Sequence, residues 1–261
     1  MAADFRGRQS LTYQAKNVFG DAAKNMSNQN AHIGMDVERL FKNSIKSKTH
    51  VIETLKEHFE IEGDFATAYS TGTDAGKSDV ILKFADGKTL SANIKAFKAG
   101  FNQITRAKIP AFCSRFGIEN LTSMFEDAAV RVASKSGRFI LETDENRVLE
   151  VLSPLAKRIL QVSIAGLEHP ELLVLYDRTA NLMILYDLAD LLENLDYQIT
   201  FSKRGIIKFG QFFTIQRKGG NGVHSIHIPK TSLDHPGNGL QVKMNVRKFV
   251  NENEPLIKYK A

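Results

Sequence analysis

An acid, an amide and a lysine stand on two neighbouring stretches of predicted strand. Asp79 begins the first stretch, 79–84, while Asn93 and Lys95 lie two residues apart on the second, 89–97. One or two carboxylates can hold Mg²⁺, which prefers oxygen ligands and keeps several of its waters. A bound cation lowers the pKa of water, and a nearby lysine can orient the hydroxide or offset charge on a phosphate. The pattern predicts metal-dependent phosphodiester hydrolysis, with Asp79 as metal ligand and Lys95 as partner of the nucleophile.

The turn between the two stretches decides whether these side chains can meet. Asp86 and Gly87 form a typical hairpin dipeptide, and side chains alternate between the two faces of a strand. Asn93 and Lys95 therefore share a face, which Asp79 joins only if it pairs with odd-numbered residues. A two-residue loop gives the wrong parity, so we predict a loop of odd length or a bulge. The alternative interpretation is an ordinary surface hairpin with scattered charges.

Ser78-Asp79 followed by Asn93-Ile94-Lys95 resembles the PD-(D/E)XK nucleases. The resemblance implies an α/β fold whose core is a central mixed β-sheet flanked by helices, with a β-rich DNA-recognition region added at the C-terminal end. It places Asp79, Asn93 and Lys95 in the catalytic centre and Ile94 among the residues at the metal. Asn93 replaces the usual acid and brings no charge, so we expect weaker metal affinity unless another acid helps.

A predicted helix over residues 32–46 supplies a candidate for that acid. Apolar residues fall at helical spacing along it. Glu38 follows Gly34 by four residues, as in the first core helix of the same nucleases, where the glutamate leans toward the metal. The resemblance implies that Glu38 provides the charge that Asn93 lacks. The alternative is a surface glutamate on an amphipathic helix.

The charge of the chain is unevenly distributed. Over 261 residues the formal net charge is +6. Residues 1–118 carry 17 basic and 12 acidic side chains, residues 119–200 carry 7 and 14, and residues 201–261 carry 11 and 3. Two basic ends around an acidic middle fit a partner with a phosphate backbone. A chance unevenness of solvated faces would give the same counts.

The composition is ordinary for a soluble protein, at 43% hydrophobic and 25% charged residues. The single cysteine, Cys113, excludes a disulfide framework, and its apolar neighbours predict a core position. Residues 1–30 are polar, so we expect no signal peptide. No apolar run approaches the ~18 residues of a membrane span. These features predict a cytoplasmic protein without a membrane partner.

Periodicity predicts helices mainly in the first two thirds of the chain and strands mainly in the last third. Helices are predicted over 51–59, 119–134, 144–162 (with a restart at Pro154) and 188–195, and strands over 171–176, 181–186, 197–202, 206–209, 212–217 and 240–246. Residues 61–76 are predicted to be a loop. Gly100 predicts the end of a strand, and Asn102 the N-cap of a helix after it. We expect a catalytic core over 1–118, a helical middle with further strands over 119–200 and a basic recognition region over 201–261, or one compact domain.

The last third carries residue types that read the edges of bases. Gln216, Arg217, Lys218 and Asn221 stand in a glycine-rich stretch whose backbone can approach a partner closely. Arginine and lysine pair with guanine, and glutamine and asparagine with adenine. Lys243 could hold a phosphate. The alternative is a basic hairpin that binds nothing specific.

The residues after Gly100 are candidates for the minor groove. Phe101, Asn102 and Gln103 follow it directly, and aromatic wedges and amide donors both serve in that groove. The alternative makes Phe101 a hydrophobic staple and Asn102 a plain helix cap.

Several short motifs in order resemble one group of nucleases, the monomeric type II restriction endonucleases of the HinP-type (GCGC) and MspI (CCGG). The motifs are Gly34 with Glu38, Asn93-Ile94-Lys95, Gly100-Phe101-Asn102-Gln103-Ile104, His169-Pro170-Glu171-Leu172-Leu173, Lys208-Phe209-Gly210, residues 214–220 and Gly239-Leu240-Gln241-Val242-Lys243. The resemblance implies that Gln216, Arg217, Lys218 and Gln241 enter the major groove, and Phe101 and Gln103 the minor groove.

The same resemblance implies a bacterial, Mg²⁺-dependent endonuclease that binds double-stranded DNA as a monomer and nicks one strand at a time. Its target would be GCGC, CCGG or a relative, protected in the host by a cognate DNA methyltransferase. Two other functions stay open. One is a structure-specific or repair nuclease, and the other is a sequence-specific DNA-binding protein without activity.

Overall fold

The computed structural model describes residues 32–71, 79–98, 100–166, 170–220 and 227–261. Within them, helices pack around two β-sheets. The helices are α1 (32–46), α2 (Thr49–His58), α3 (Ile109–Phe116), α4 (Thr122–Ala133), α5 (Glu145–Leu152), α6 (Ala156–Ala165), α7 (Leu188–Asn194) and α8 (Val246–Glu252). The strands are β1 (Phe65–Ser70), β2 (Val80–Phe84), β3 (Thr89–Phe97), β4 (Phe101–Ala107), β5 (Leu172–Asp177), β6 (Leu182–Asp187), β7 (Ile199–Phe201), β8 (Ile207–Phe209), β9 (Phe213–Arg217), β10 (Leu240–Asn245) and β11 (Ile257–Lys260).

The first sheet has six strands in the order β1-β2-β3-β5-β6-β11. Strands β3 and β5 run parallel, and the other neighbours run antiparallel. The helical segments between β3 and β5 provide the long crossover that a parallel pair requires. The predicted α/β fold with a central mixed sheet and flanking helices is confirmed.

The second sheet has five antiparallel strands in the order β4-β10-β9-β8-β7. Strand β4 follows β3 in the chain after three residues, yet it belongs to the other sheet. The polypeptide therefore passes from the first sheet to the second between Phe97 and Phe101.

Two apolar clusters fill the space on either side of the first sheet. One joins α1 and α2 to the sheet through residues such as Phe41, Leu55 and Leu82. The other joins the opposite face to α3, α4, α6 and the second sheet. Alternate residues of β5 enter different clusters, which explains why a strand buried on both faces is a continuous apolar run.

Two predicted elements are wrong. Residues 65–70 form β1 and not part of a loop; only Ala68 of this edge strand is buried, so its sequence shows little of the apolar alternation that marks a strand. Residues 101–107 form β4 and not a helix, because their backbone pairs with β10 from Phe101 to Ala107. That pairing joins residues far apart in sequence, which overrides the local signals of Gly100 and Asn102. Helix α8 and strand β11 were not predicted.

Several local predictions are confirmed. The helix over 32–46 is present, and a 3₁₀ turn at Ser153–Leu155 separates α5 from α6 where Pro154 predicted a restart. Cys113 is buried in the core, and burial raises the pKa of its thiol. None of the described helices is both long and apolar enough to cross a membrane.

Candidate active site and nucleic-acid interface

A three-residue loop sets the register of the β2–β3 hairpin. The backbone N–H of Phe84 donates to Lys88 O (3.0 Å), so residues 85–87 form the loop, and Gly87 takes a left-handed conformation at φ 88°. Glycine adopts this conformation without steric penalty. Val80 pairs with Ala92, and Asp79 therefore stands opposite Asn93. The predicted loop of odd length is confirmed.

This register brings Asp79 and Lys95 together. Lys95 Nζ lies 3.7 Å from Asp79 Oδ2, and about a quarter of each side chain is exposed. The backbone N–H of Ile94 donates to the same Oδ2 at 2.6 Å, and Lys95 Nζ donates to Ile94 O at 3.3 Å. The main chain of Ile94 thus fixes both charged groups, and its carbonyl oxygen lies beside them.

Glu38 reaches the same site from helix α1. Burial raises the pKa of its carboxyl group, and the charge of Asp79 raises it further. The charges of Lys42 and Lys95 and a hydrogen bond from Ser70 act in the opposite direction. Two acids therefore lie within electrostatic reach of each other and of one lysine.

The oxygen atoms in this region suit a hard cation. The carboxylates of Asp79 and Glu38 and the carbonyl of Ile94 are ligand types that Mg²⁺ prefers. Burial is the first cause of the raised pKa of Glu38, and a cation would offset the second, which is repulsion by Asp79. The residues present therefore fit Mg²⁺.

Asn93 is fully buried and contacts helix α6. Its side-chain amide donates to Ile164 O at 3.1 Å. This contact anchors the last turn of α6 to the middle of β3. A role for Asn93 at the metal stays a prediction.

The second sheet presents a polar face on the side away from its apolar core. Residues of β10 alternate, with Leu240, Val242 and Met244 in the core and the residues between them on the other face. Directly paired residues share a face, so this outer face also receives residues of β4 and β9. Its members include Phe101, Gln103, Arg106, Thr214, Gln216, Gln241 and Lys243.

The minor-groove candidates lie on strand β4 and not at the start of a helix. Phe101 is 53% exposed, and Lys243 Nζ lies 5.4 Å from the centre of its ring, within the range of a cation–π contact. Gln103 is exposed beside Lys243. Asn102 instead donates from its side chain to Ala96 O at 3.2 Å, so it ties β4 to β3.

The major-groove candidates divide into exposed and structural side chains. Gln216 lies on the outer face, partly exposed. Gln241 is 5% exposed, and its amide donates to the carbonyls of Arg217 (3.4 Å) and Lys218 (3.2 Å). It therefore supports the backbone that follows β9. Asn221 lies outside the described residues.

Arg217 and Lys218 are held by the 3₁₀ turn Pro236–Asn238. Arg217 Nε donates to Asn238 Oδ1 at 2.6 Å, and Lys218 Nζ donates to Pro236 O at 3.2 Å. Burial lowers the pKa of both groups, and the charge of Arg106 lowers that of Lys218 further. The two cations are thus partly desolvated and fixed in place.

No known protein family pattern matches this chain, and no curated protein sequence matches it. Among solved structures, the chain is similar to the restriction endonuclease MspI in a crystal structure with its cognate DNA. The TM-score is 0.49 at 12% identity, and the alignment covers 91% of this chain and all of that one.

Three residues of these surfaces were missed from the sequence. Ser70 and Lys42 lie close enough to Glu38 to change the pKa of its carboxyl group. Arg106 stands opposite Gln241 on the outer face. The spacing of Lys42 four residues after Glu38 on a helix was a usable signal. Ser70 and Arg106 carried none, because β1 and β4 were not predicted as strands.

Proposed function

We propose that this protein is a type II restriction endonuclease that hydrolyses phosphodiester bonds of double-stranded DNA with Mg²⁺. The observation that carries the proposal is the 3.7 Å approach of Lys95 to Asp79, with Glu38 in electrostatic reach of both. Asp79, Glu38 and Ile94 are the residues that would hold the cation. Mg²⁺, when bound, supplies charge neutralisation and an acidified water.

The protein residues orient the reacting groups. The Ile94 N–H holds the Asp79 carboxylate in one orientation, and the Lys95 ammonium lies beside it. An ammonium group in that position can donate a hydrogen bond to the attacking hydroxide, and it can offset negative charge on the phosphate in the transition state. Asn93 supports this strand through its bond to Ile164.

The outer face of the second sheet is the proposed surface for the DNA. Gln216, Arg217, Lys218 and Asn221 are the proposed readers of base edges in the major groove. Gln241 supports the backbone of Arg217 and Lys218. Phe101 and Gln103 are proposed to enter the minor groove, and Asn102 to hold them there. Lys243 is proposed to contact the phosphate backbone.

The resemblance of the motifs supports the finer parts of the proposal. These are a short GC-rich palindrome of the GCGC or CCGG kind, action as a monomer that nicks the strands in turn, and a bacterial cytoplasm. A cognate DNA methyltransferase in the same host would protect the site. Its relation to this protein would be functional and not a physical contact.

The deciding experiment is a digest of unmethylated phage DNA with Mg²⁺, followed by sequencing of the fragment ends. We expect discrete fragments that share one short GC-rich palindrome at their ends. A smear, or cleavage that follows nicks and flaps, would replace the proposal with a repair or structure-specific nuclease. No cleavage together with a gel shift would replace it with an inactive DNA-binding protein.

Lys95→Ala provides the matching test of the site. We expect cleavage to fall at least about a hundredfold, the scale of losing one transition-state donor, while the affinity for DNA is largely kept. Lys83→Ala is the matched control, because Lys83 is an exposed lysine on the neighbouring strand β2. Equal activity of the Lys95 variant and the control would reject the assigned role.

A further inference from the structure

A basic cleft lies at the edge of the second sheet, beside the proposed DNA-facing surface. Its volume is about 490 Å³. Val132, Phe139 and Ile206 line its apolar part, and Lys203, Arg204 and Arg217 line the rest. Gln216 also lines the cleft, so the cleft adjoins the outer face of the second sheet at that residue.

Three cations of the cleft have no acidic partner in the described part of the chain. No carboxylate oxygen lies within 4.0 Å of the charged groups of Lys203, Arg204 or Arg217 there. Arg138, at the same cleft, forms ion pairs with Glu142 and, at 2.6 Å, with Glu145. The acids near the cleft are therefore engaged by one arginine, and the other cations keep an uncompensated positive charge.

Arg217 is the cation for which an anionic ligand would matter most. Its guanidinium is half-buried, and burial lowers its pKa. Its Nε bond to Asn238 fixes the plane of the group. A desolvated cation gains more from an anion than a fully hydrated one, and a planar guanidinium can bind a phosphate with two parallel hydrogen bonds.

The turn that carries Lys203 and Arg204 is fixed on the cleft. The N–H of Phe139 donates to Arg204 O (2.8 Å) and the N–H of Ile140 to Gly205 O (3.2 Å). Gly205 has φ +70°, and a Cβ there would lie 2.3 Å from Ile140 O. The close packing of this glycine fixes the backbone of the turn at the mouth of the cleft before any ligand binds, which reduces the backbone ordering that binding must impose.

We propose that this cleft binds a phosphodiester of the DNA backbone through Lys203 and Arg204, with Arg217 on its inner wall. The inference rests on the proposed function, because it extends the same DNA-facing surface. The contact lies beside the proposed base reader Gln216 and adds affinity and register without adding sequence information.

The test uses the Lys95→Ala protein as the parent, so that DNA is bound without being cut. It compares this parent with a variant that also carries Lys203→Gln and Arg204→Gln. Fluorescence anisotropy gives the affinity for short labelled duplexes that contain GCGC, CCGG or neither, over a series of salt concentrations. Lys83→Gln/Lys258→Gln removes the same charge from exposed positions on the first sheet and is the matched control.

Each lost phosphate contact lowers the slope of log affinity against log salt by about 0.9. We expect the slope of the Lys203/Arg204 variant to fall by about 1 to 2 on every duplex, with the ratio of affinities between duplexes unchanged. When the salt rises from 50 to 200 mM, the variant should therefore lose less affinity than the parent, by a factor of about 3 for each contact removed. The control should keep the parental slope.

The outcomes separate this inference from the proposed function. A parent that binds duplex DNA, with an unchanged slope in the Lys203/Arg204 variant, overturns the cleft contact alone. An equal fall in the control assigns the effect to net charge and also overturns it. A parent that binds no duplex overturns the proposed function and the cleft contact together.

Discussion

Glu38 and Asp79 place two negative charges close to each other and to Lys95. The pKa of Glu38 is raised first by burial and then by Asp79. An acid whose pKa is higher in the folded state holds its proton more tightly there than in the unfolded chain. Its contribution to stability is therefore lost as the pH rises from the ordinary glutamate pKa, about 4.3, through the raised folded value.

Glu38→Gln should consequently stabilise the protein near neutral pH. Because the side chain is partly exposed and solvent screens it, we expect a gain in unfolding free energy of no more than about 1 kcal/mol. The gain should vanish below pH ~4.3, where the acid is protonated in both states. Urea denaturation at both pH values measures it. A stability difference that is the same at both would contradict the assigned electrostatics.

Asn93→Asp asks whether the residue serves helix α6 or the metal. The substitution replaces the amide that donates to Ile164 O with a carboxylate, which repels that oxygen. We expect a loss of about 1–3 kcal/mol in unfolding free energy without metal, as for a buried group deprived of its hydrogen bond. Asn43→Asp, at an exposed position of helix α1, is the control. Unchanged stability together with stronger stabilisation by Mg²⁺ would place Asn93 at the cation.

Among single residues, those of the hairpin were the ones that could be predicted. Asp79 and Lys95 are brought together by strand alternation and one turn, which are local rules. The surroundings of Glu38 depend on how α1 packs against β1 and β3, and the burial of Gln241 depends on the carbonyls of Arg217 and Lys218. Neither is visible in the spacing of residues.

At the level of elements, the β2–β3 loop decides the position of Asp79, the proposed metal ligand. A shift of one residue in an antiparallel pair turns every side chain of one strand to the opposite face. The loop 85–87 therefore matters through its length more than through its side chains.

Deleting Ala85 should abolish activity by moving Asp79 to the face away from Lys95. Gly87→Ala is the matched change, because it strains the same loop at φ 88° and keeps its length. No atom lies within 4 Å of the added Cβ, so we expect a loss of only about 1–2 kcal/mol from the left-handed backbone, with activity kept below the unfolding temperature. Thermal unfolding and a cleavage assay on both variants measure the two effects. An active deletion variant would show that the register does not control the site.

Strand β4 shows why part of the second sheet could not be predicted. Its sequence, FNQITRA, begins after a glycine with an asparagine in a capping position. The strand exists because residues 240–245 pair with it, and sequence patterns carry no information about such a distant partner. Strands β8, β9 and β10 were predicted because each carries apolar residues at alternate positions.

For the whole molecule, the last strand closes the fold onto the first described helix. Strand β11 pairs with β6, and Tyr259 is 5% exposed. Its hydroxyl lies 3.1 Å from Ser44 Oγ on α1, the helix that also carries Glu38. Burial raises the pKa of Tyr259 to about 12. The C-terminal strand thus supports the position of a proposed metal ligand.

Tyr259→Ala and Tyr259→Phe separate packing from hydrogen bonding in this contact. The alanine variant leaves a cavity, and we expect a loss of about 3–5 kcal/mol. The phenylalanine variant should lose only about 1 kcal/mol, because Ser44 Oγ still donates to Phe41 O at 3.2 Å. Thermal unfolding gives both values, and the apparent affinity for Mg²⁺ should fall in the alanine variant. Equal losses in the two variants would show that the packing of the Tyr259 ring does not stabilise the contact.

The passage of the chain from β3 to β4 also bears on how the proposed DNA specificity could change. Strand β4 is an edge of the second sheet but is encoded between the proposed catalytic lysine and helix α3, far from the other strands of that sheet. A recombination event that exchanged only the C-terminal segment would leave the old β4 facing new neighbours. If the protein has the proposed function, shuffling of gene segments is therefore a poor route to new specificity. Altered specificity would have to arise by point substitutions or by insertions in the loops of a lineage that inherits both sheets together.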